Sequence, residues 1–140
     1  MTTPGCLFCA IAAGEIPASM VMQDDDVAAF LDARPVFKGH VLVAPRAHWA
    51  TLSDVPAAEL GKLFAAVQRV ARAVEAGLGM DGTFVAMNNK VSQSVPHLHT
   101  HVVPRTKGDG LRGFFWPRTK YDSDDEAKDF ATRIAAVMSS

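Results

Sequence analysis

Pro96-His97-Leu98-His99-Thr100-His101-Val102-Val103 places three of the chain's five histidines two residues apart. In an extended backbone, side chains two positions apart share a face. His97, His99 and His101 then point one way, and Leu98, Thr100 and Val102 the other. Such a segment has an apolar back for a core and an imidazole front for a site. Imidazole titrates nearest neutral pH and serves as nucleophile, acid, base or metal ligand. Few folds accept this pattern; a strand with one covered face and one cleft-lining face does.

The remaining composition sets bounds. At 140 residues the chain suits a single domain over 1–140 with a real core. A net charge of −1 gives no global field to gather nucleic acid or an anionic membrane. No uninterrupted apolar run is long enough to span a bilayer. The opening Met1-Thr2-Thr3-Pro4-Gly5 lacks a basic region followed by an apolar stretch, so a cytoplasmic protein is expected. Two cysteines make no disulfide framework, and at C-x-x-C spacing they suggest metal or redox chemistry.

Cys6-Leu7-Phe8-Cys9 can chelate zinc through a tight turn. The rivals are a redox pair, which usually follows a strand and opens a helix, and two small buried hydrophobes. The residues before Cys6 are too few for that strand. Ile11 to Gly14 reads as a short helix ended by glycine. Ser19–Gln23 and Val27–Leu31 read as a hairpin, with Asp24-Asp25-Asp26 as its turn rather than a metal cluster. Asp32 to Gly39 connects to a third strand, His40–Ala44, stopped by Pro45 and flanked by His40 and His48.

Ser53 or Asp54 can cap a helix with Pro56 in its first turn. Leu60, Leu63, Phe64, Val67, Val70, Ala71 and Val74 form its core-facing stripe, and Gly77 or Gly79 ends it. Thr83–Met87 is a fourth strand, and Asn88 to Ser94 turns the chain into the histidine strand, antiparallel to it. From Arg105 to Tyr121 basic and aromatic residues interleave. That suits single-stranded nucleic acid, or a glycine-rich loop whose aromatics pack on the protein. The second reading is preferred, because the rest of the chain has no basic stripe. Ser123-Asp124-Asp125-Glu126 is a capping box opening a last helix with Phe130, Ile134, Val137 and Met138 on one face.

Zinc held by the three histidines alone is badly placed. The outer two lie roughly 13 Å apart along a strand, whereas zinc needs its nitrogens at about 2 Å. A division of labour fits better: Cys6, Cys9 and two histidines hold zinc, and His99 and His101 remain for chemistry. Phosphorus transfer suits them. A neutral imidazole nitrogen attacks phosphorus, and the phosphoramidate formed is easily hydrolysed. The other ring nitrogen must be held by an acceptor so that the attacking one is bare. Neighbouring imidazoles resist joint protonation. Gln93, Ser94 and nearby backbone amides can donate to phosphate oxygens.

His97-Leu98-His99-Thr100-His101-Val102-Val103 resembles the signature of the histidine triad (HIT) nucleotide-binding family. The likeness runs from Cys6 to about Arg105, the core motif region being 6–105 and residues 106–140 a C-terminal loop and helix. It passes through Leu7-Phe8-Cys9, Glu15-Ile16-Pro17-Ala18, Phe30-Leu31-Asp32, Gly39-His40-Val41-Leu42-Val43-Ala44-Pro45 and Gln93-Ser94-Val95. It implies an α+β fold with a five-stranded antiparallel sheet, one long and one C-terminal helix, and sheets joined across a homodimer. It implies hydrolysis or transfer at the α-phosphorus of purine nucleotide conjugates, either nucleoside phosphoramidates or dinucleoside polyphosphates, through a nucleotidyl-histidine. By position, His99 is the nucleophile, His101 contacts the α-phosphate and helps the leaving group, His97 supports the triad and His40 braces it. Asp32 matches the acid that binds ribose hydroxyls. Leu7, Phe8, Ile11, Phe30 and Leu31 match the walls of the base pocket. Gln93, Ser94 and Asn88 match polar groups at the substrate. A zinc-bearing subset is matched by Cys6, Cys9, His48 and His97. Where the family usually has glycine before the glutamine, this chain has Ser92.

Two other classes remain open on the sequence: a nucleotide-binding or sensing module with weak turnover, and a zinc-stabilised interaction protein. Nucleic acid is not expected as a partner.

Overall fold

The computed structural model describes residues 3–111 and 118–138. The chain forms two compact units, divided between Asp109 and Gly110. In the first, the order is α1 (Leu7–Ala12), β1 (Met20–Gln23), β2 (Val27–Leu31), β3 (Val41–Pro45), a 3-10 turn (Leu52–Asp54), α2 (Ala57–Leu78), β4 (Gly82–Ala86) and β5 (Thr100–Arg105). The strands make a five-stranded sheet in the order β1-β2-β3-β5-β4, with every neighbouring pair antiparallel. The architecture is the α+β one the sequence implies.

Period-two patterning on the central strands separates two layers. Val27, Ala29, Val41, Val43, Leu98 and Val102 pack with Leu63, Ala66, Val67, Val70 and Val74 of α2. Each valine or leucine among them, once fully buried, contributes roughly 1.5–3 kcal/mol. The other face of the sheet carries a smaller cluster of Phe8, Ile11, Phe30 and Leu42. Phe30 is opposite Leu42 on β3, and Leu42 is opposite His101 on β5. This cross-strand line brings the triad to the apolar face that α1 covers.

Local details depart from the sequence reading in places. Helix α1 begins at Leu7 rather than Ile11, because Cys6 caps it. Ser53 and Asp54 do not cap α2. They lie in the separate 3-10 turn, where the Asp54 carboxylate accepts from the Thr51 amide and hydroxyl, each at 2.9 Å. Pro56 is the N-cap of α2, suited to a position with no intrahelical donor to satisfy. Phe64, assigned to the buried stripe, is 44% exposed, and Ala66 takes its place. Pro45 is inside β3 rather than beyond it. Gly79 ends α2 in the left-handed conformation, φ +63°. Asp24 is a turn residue: its Oδ1 accepts from the amides of Asp26 and Val27, both at 2.8 Å.

In the second unit, α3 spans Asp124–Ala135. Ser123 Oγ accepts from Glu126 N–H at 3.1 Å. The Glu126 carboxylate reaches back to Asp122 N–H at 2.8 Å, one residue earlier than a strict capping box. Phe130, Ile134, Val137 and Met138 are exposed. Of the interleaved basic and aromatic segment, residues 112–117 lie outside the described residues.

Candidate active site

The three histidines share a side, as alternation requires, but the strand starts late. β5 begins at Thr100, so His97, at a bend, and His99 precede the strand. Leu98 N–H donates instead to Trp49 O at 2.7 Å, which pins the segment without a ladder. Leu98, Thr100 and Val102 are almost wholly buried. On the opposite side the Phe8 ring meets both His97 and His99 edge-on, with centroids at 5.9 and 4.9 Å.

Backbone carbonyls fix two of the imidazole tautomers, because a carbonyl only accepts. His97 Nε2 lies 2.7 Å from Pro45 O, so Nε2 carries the proton and Nδ1 is bare. His99 Nδ1 lies 2.8 Å from His97 O, so Nδ1 carries the proton and Nε2 is bare.

The bare Nδ1 of His97 faces sulfur. It is 3.3 Å from Cys6 Sγ and 3.5 Å from Cys9 Sγ. His48 Nδ1 is 3.5 Å from Cys9 Sγ. Tetrahedral zinc, with Zn–S of about 2.3 Å and Zn–N of about 2.05 Å, sets ligand sulfur and nitrogen about 3.5 Å apart. The ligand atoms of Cys6, Cys9, His48 and His97 all lie within 4.8 Å of one another. The residues therefore fit zinc. Cys6 does open a helix, as a redox pair does, yet two imidazole nitrogens converging on the sulfurs mark a metal set. Burial pushes the Cys9 thiol above its ordinary pKa, and the Thr3 amide works against that; a divalent cation is the natural counterweight.

At the other end of the triad, His101 Nδ1 is 2.9 Å from His40 Nε2. His40 is buried, at 3% exposure, and its Nδ1 is 3.7 Å from Asp32 Oδ2. Burial, helped by the charges that His99 and His40 would carry, pushes the His101 pKa down to about 4. His40 and His97 are also lowered, again chiefly by burial. Burial thus favours the neutral form of all three of these rings.

His99 and His101 line a cleft of about 620 Å³, ample for a nucleotide. Leu7, Phe8, Ile11, Phe30, Leu31, Asp32 and Ser94, all singled out in the sequence, line it. Leu42 and Val95 line it too; period-two patterning could have found Leu42, one residue out of phase with core-facing Val41 and Val43. Gln93 and Asn88 are not on the wall. The Gln93 amide donates to Ala50 O and accepts from Lys90 N–H at 2.8 Å. Asn88 Nδ2 donates to Ser92 O at 3.3 Å. Asn88 thus bonds within its own turn, and Gln93 ties that turn to the segment after β3.

Comparison with known proteins agrees with this geometry. The model of the HIT domain matches residues 13–108. A crystal structure of a HIT-family member from Bacillus subtilis superposes with TM-score 0.87 at 35% identity, covering 97% of this chain and 99% of that one. A zinc-bound histidine triad protein from Mycobacterium smegmatis gives TM-score 0.73 at 36% identity over 96% of each chain. Adenosine 5'-monophosphoramidase of Saccharomyces cerevisiae is 35% identical over 127 residues, 88% of this chain and 77% of that protein. With the triad, the sheet and the matched segment in agreement, the chain belongs to the HIT domain family.

Proposed function

We propose that the protein is a nucleotidyl hydrolase or transferase acting at the α-phosphorus of purine nucleotide conjugates. The observation that carries this is the His99 ring, which lines an apolar cleft and whose Nδ1–H is held by the His97 carbonyl, leaving Nε2 as the nitrogen with a lone pair. His99 Nε2 forms a bond to phosphorus as the bond from phosphorus to the leaving group breaks. Water then attacks the nucleotidyl-histidine, the P–N bond breaks, and His99 is restored. His101 contacts the α-phosphate, His40 braces it, and Asp32 accepts from the ribose hydroxyls. Leu7, Phe8, Ile11, Phe30 and Leu31 enclose the base. Ser94 serves the phosphate side, and Gln93 and Asn88 act by holding the turn that presents it. The yeast relative's phosphoramidase activity makes nucleoside phosphoramidates the first substrates to try, with dinucleoside polyphosphates second.

Cys6, Cys9, His48 and His97 would hold one structural zinc, tying α1 and the segment after β3 to the triad. The protein is further proposed to be a cytoplasmic homodimer working as one domain over 1–140. Among the described residues no helix is long and apolar enough to cross a membrane.

The test is a nucleotide panel with several leaving groups, read by mass spectrometry of quenched protein. A nucleotidyl group on His99 is the expected result. Binding without any adduct or turnover would instead make the protein a nucleotide-sensing module.

A further inference from the structure

We propose that the backbone amide of Val36, acting through His40, fixes the proton of His101 on Nε2, so that His101 meets substrate as a neutral hydrogen-bond donor. The consequence for catalysis rests on the phosphorus-transfer reading above; the proton assignment stands on geometry alone.

The chain of bonds starts at a group that cannot reverse. Val36 N lies 3.1 Å from His40 Nδ1, and a backbone amide only donates. Nδ1 of His40 is therefore the accepting nitrogen, and the proton of its neutral ring is on Nε2. That Nε2 is 2.9 Å from His101 Nδ1, so it donates there. His101 Nδ1 accepts, and its own proton is left on Nε2, the nitrogen free to meet substrate in the cleft. The reverse order would set an Nδ1–H of His40 against the Val36 N–H, donor facing donor.

The loop that carries Val36 is closed on itself. Asp32 N–H donates to His40 O at 2.9 Å, and His40 N–H to Phe37 O at 3.0 Å. Gly39, at φ +99°, packs so closely on Leu78 that a Cβ there would overlap it. The amide is thus held where His40 needs it.

The charged and titratable groups facing the pair favour the neutral form. His99 meets His101 edge-on at 5.0 Å, centroid to centroid, and its charge would oppose protonation of both rings. Asp32 acts the other way on both, but burial outweighs it. Asp32, His40 and His101 also bring three ligand atoms within 4.8 Å of one another, which resembles a metal site. A metal needs a lone pair from each nitrogen. The Val36 amide removes that option by placing a proton on the His40 nitrogen that faces His101.

Val36 and His40 are positioning residues, and the test reads protons rather than rates first. Protein labelled with ¹⁵N-histidine, free of substrate and near neutral pH, should show His40 and His101 as Nε2–H tautomers in ¹H–¹⁵N spectra of the rings. A His101 ring protonated on Nδ1 overturns the proposal. Val36→Pro deletes the amide hydrogen at a residue 53% exposed. An Nδ1–H form of His101 should then appear, and kcat should fall about tenfold with KM little changed. A folded Val36→Pro protein whose His101 stays wholly Nε2–H overturns it. Should that variant misfold, a second pair decides. His40→Gln can still aim an amide donor at His101 and should keep its tautomer. His40→Glu aims an acceptor and should draw the proton to Nδ1; unchanged spectra in both variants overturn the proposal. Because no substrate is present, these spectra can fail while the phosphorus-transfer reading stands, and the reverse.

Discussion

The carbonyl oxygen of His97 lies 2.8 Å from Nδ1 of His99, so a residue whose ring faces the cysteines holds, through its backbone, the ring assigned to attack. His99→Ala should abolish turnover while leaving nucleotide binding within a few-fold. A loss of five decades corresponds to about 7 kcal/mol at the transition state. Rates near normal in the purified variant would remove His99 from the nucleophile's role.

One zinc per chain is expected in protein purified without a histidine tag, measured by elemental analysis. Cys9→Ser should bind less than a tenth of that and melt at a lower temperature, because a structural zinc contributes folding energy directly. A metal-free wild-type protein with an unchanged melting curve would show that the Cys6, Cys9, His48 and His97 set is only packing.

Asp32 sits where an apolar wall meets polar groups, with Oδ1 accepting from Arg34 N–H at 2.9 Å. Its remaining lone pairs can take both ribose hydroxyls in charge-assisted bonds. Asp32→Ala should weaken ribonucleotide binding about tenfold or more, at 1.4 kcal/mol per decade. Calorimetry with dideoxyribonucleotides should show a smaller loss. Equal losses would reduce Asp32 to a loop residue.

Acid should destabilise the protein earlier than its carboxylates alone require. His101 titrates near 6.5 when unfolded and at about 4 when folded. Between those values the unfolded chain takes up a proton that the folded chain refuses. Stability is full above 6.5 and falls as the pH drops through that interval. With partial exposure the share of His101 is on the order of 1–3 kcal/mol. His40 acts in the same direction. Urea melts at stepped pH should be steeper for wild type than for His101→Gln; parallel curves would show that His101 takes no part.

Ser92 has φ +59° and Lys90 φ +70°, so the turn before the triad holds two L-residues in the left-handed region. That region costs a residue with a Cβ about 1–2 kcal/mol, and glycine gives back about 0.5–1 kcal/mol through its freer unfolded chain. Ser92→Gly should stabilise the protein by about 0.5–1 kcal/mol, seen as a raised urea midpoint. A lowered midpoint would mean that the turn relies on the serine side chain.

Much of this was legible in the residues. Period-two alternation separated Leu98, Thr100 and Val102 from the histidines, and reach along a strand anticipated that the three rings divide between the cysteines and the cleft. Thr100 was legible only in part: its hydroxyl is buried without a hydrogen-bond partner among the described residues. What stayed hidden depends on backbone. Gln93 carries the right chemistry for phosphate, yet the Ala50 carbonyl takes its amide, and no side-chain pattern announces a carbonyl. The Val36 amide is equally silent, since every residue but proline has one.

The late start of β5 has a consequence for how the sheet can vary. Pairing with β3 stops at Val43 and Thr100, and the carbonyl that orients His99 belongs to a residue just outside that ladder. Insertions or substitutions that lengthened the pairing by a few residues would give the His97 carbonyl a strand partner. That carbonyl would then serve two donors, the strand partner and the His99 ring, and the ring's orientation would answer to the sheet as well. The unpaired start of β5 is what leaves the His97 carbonyl answering to the His99 ring alone among the strand's neighbours.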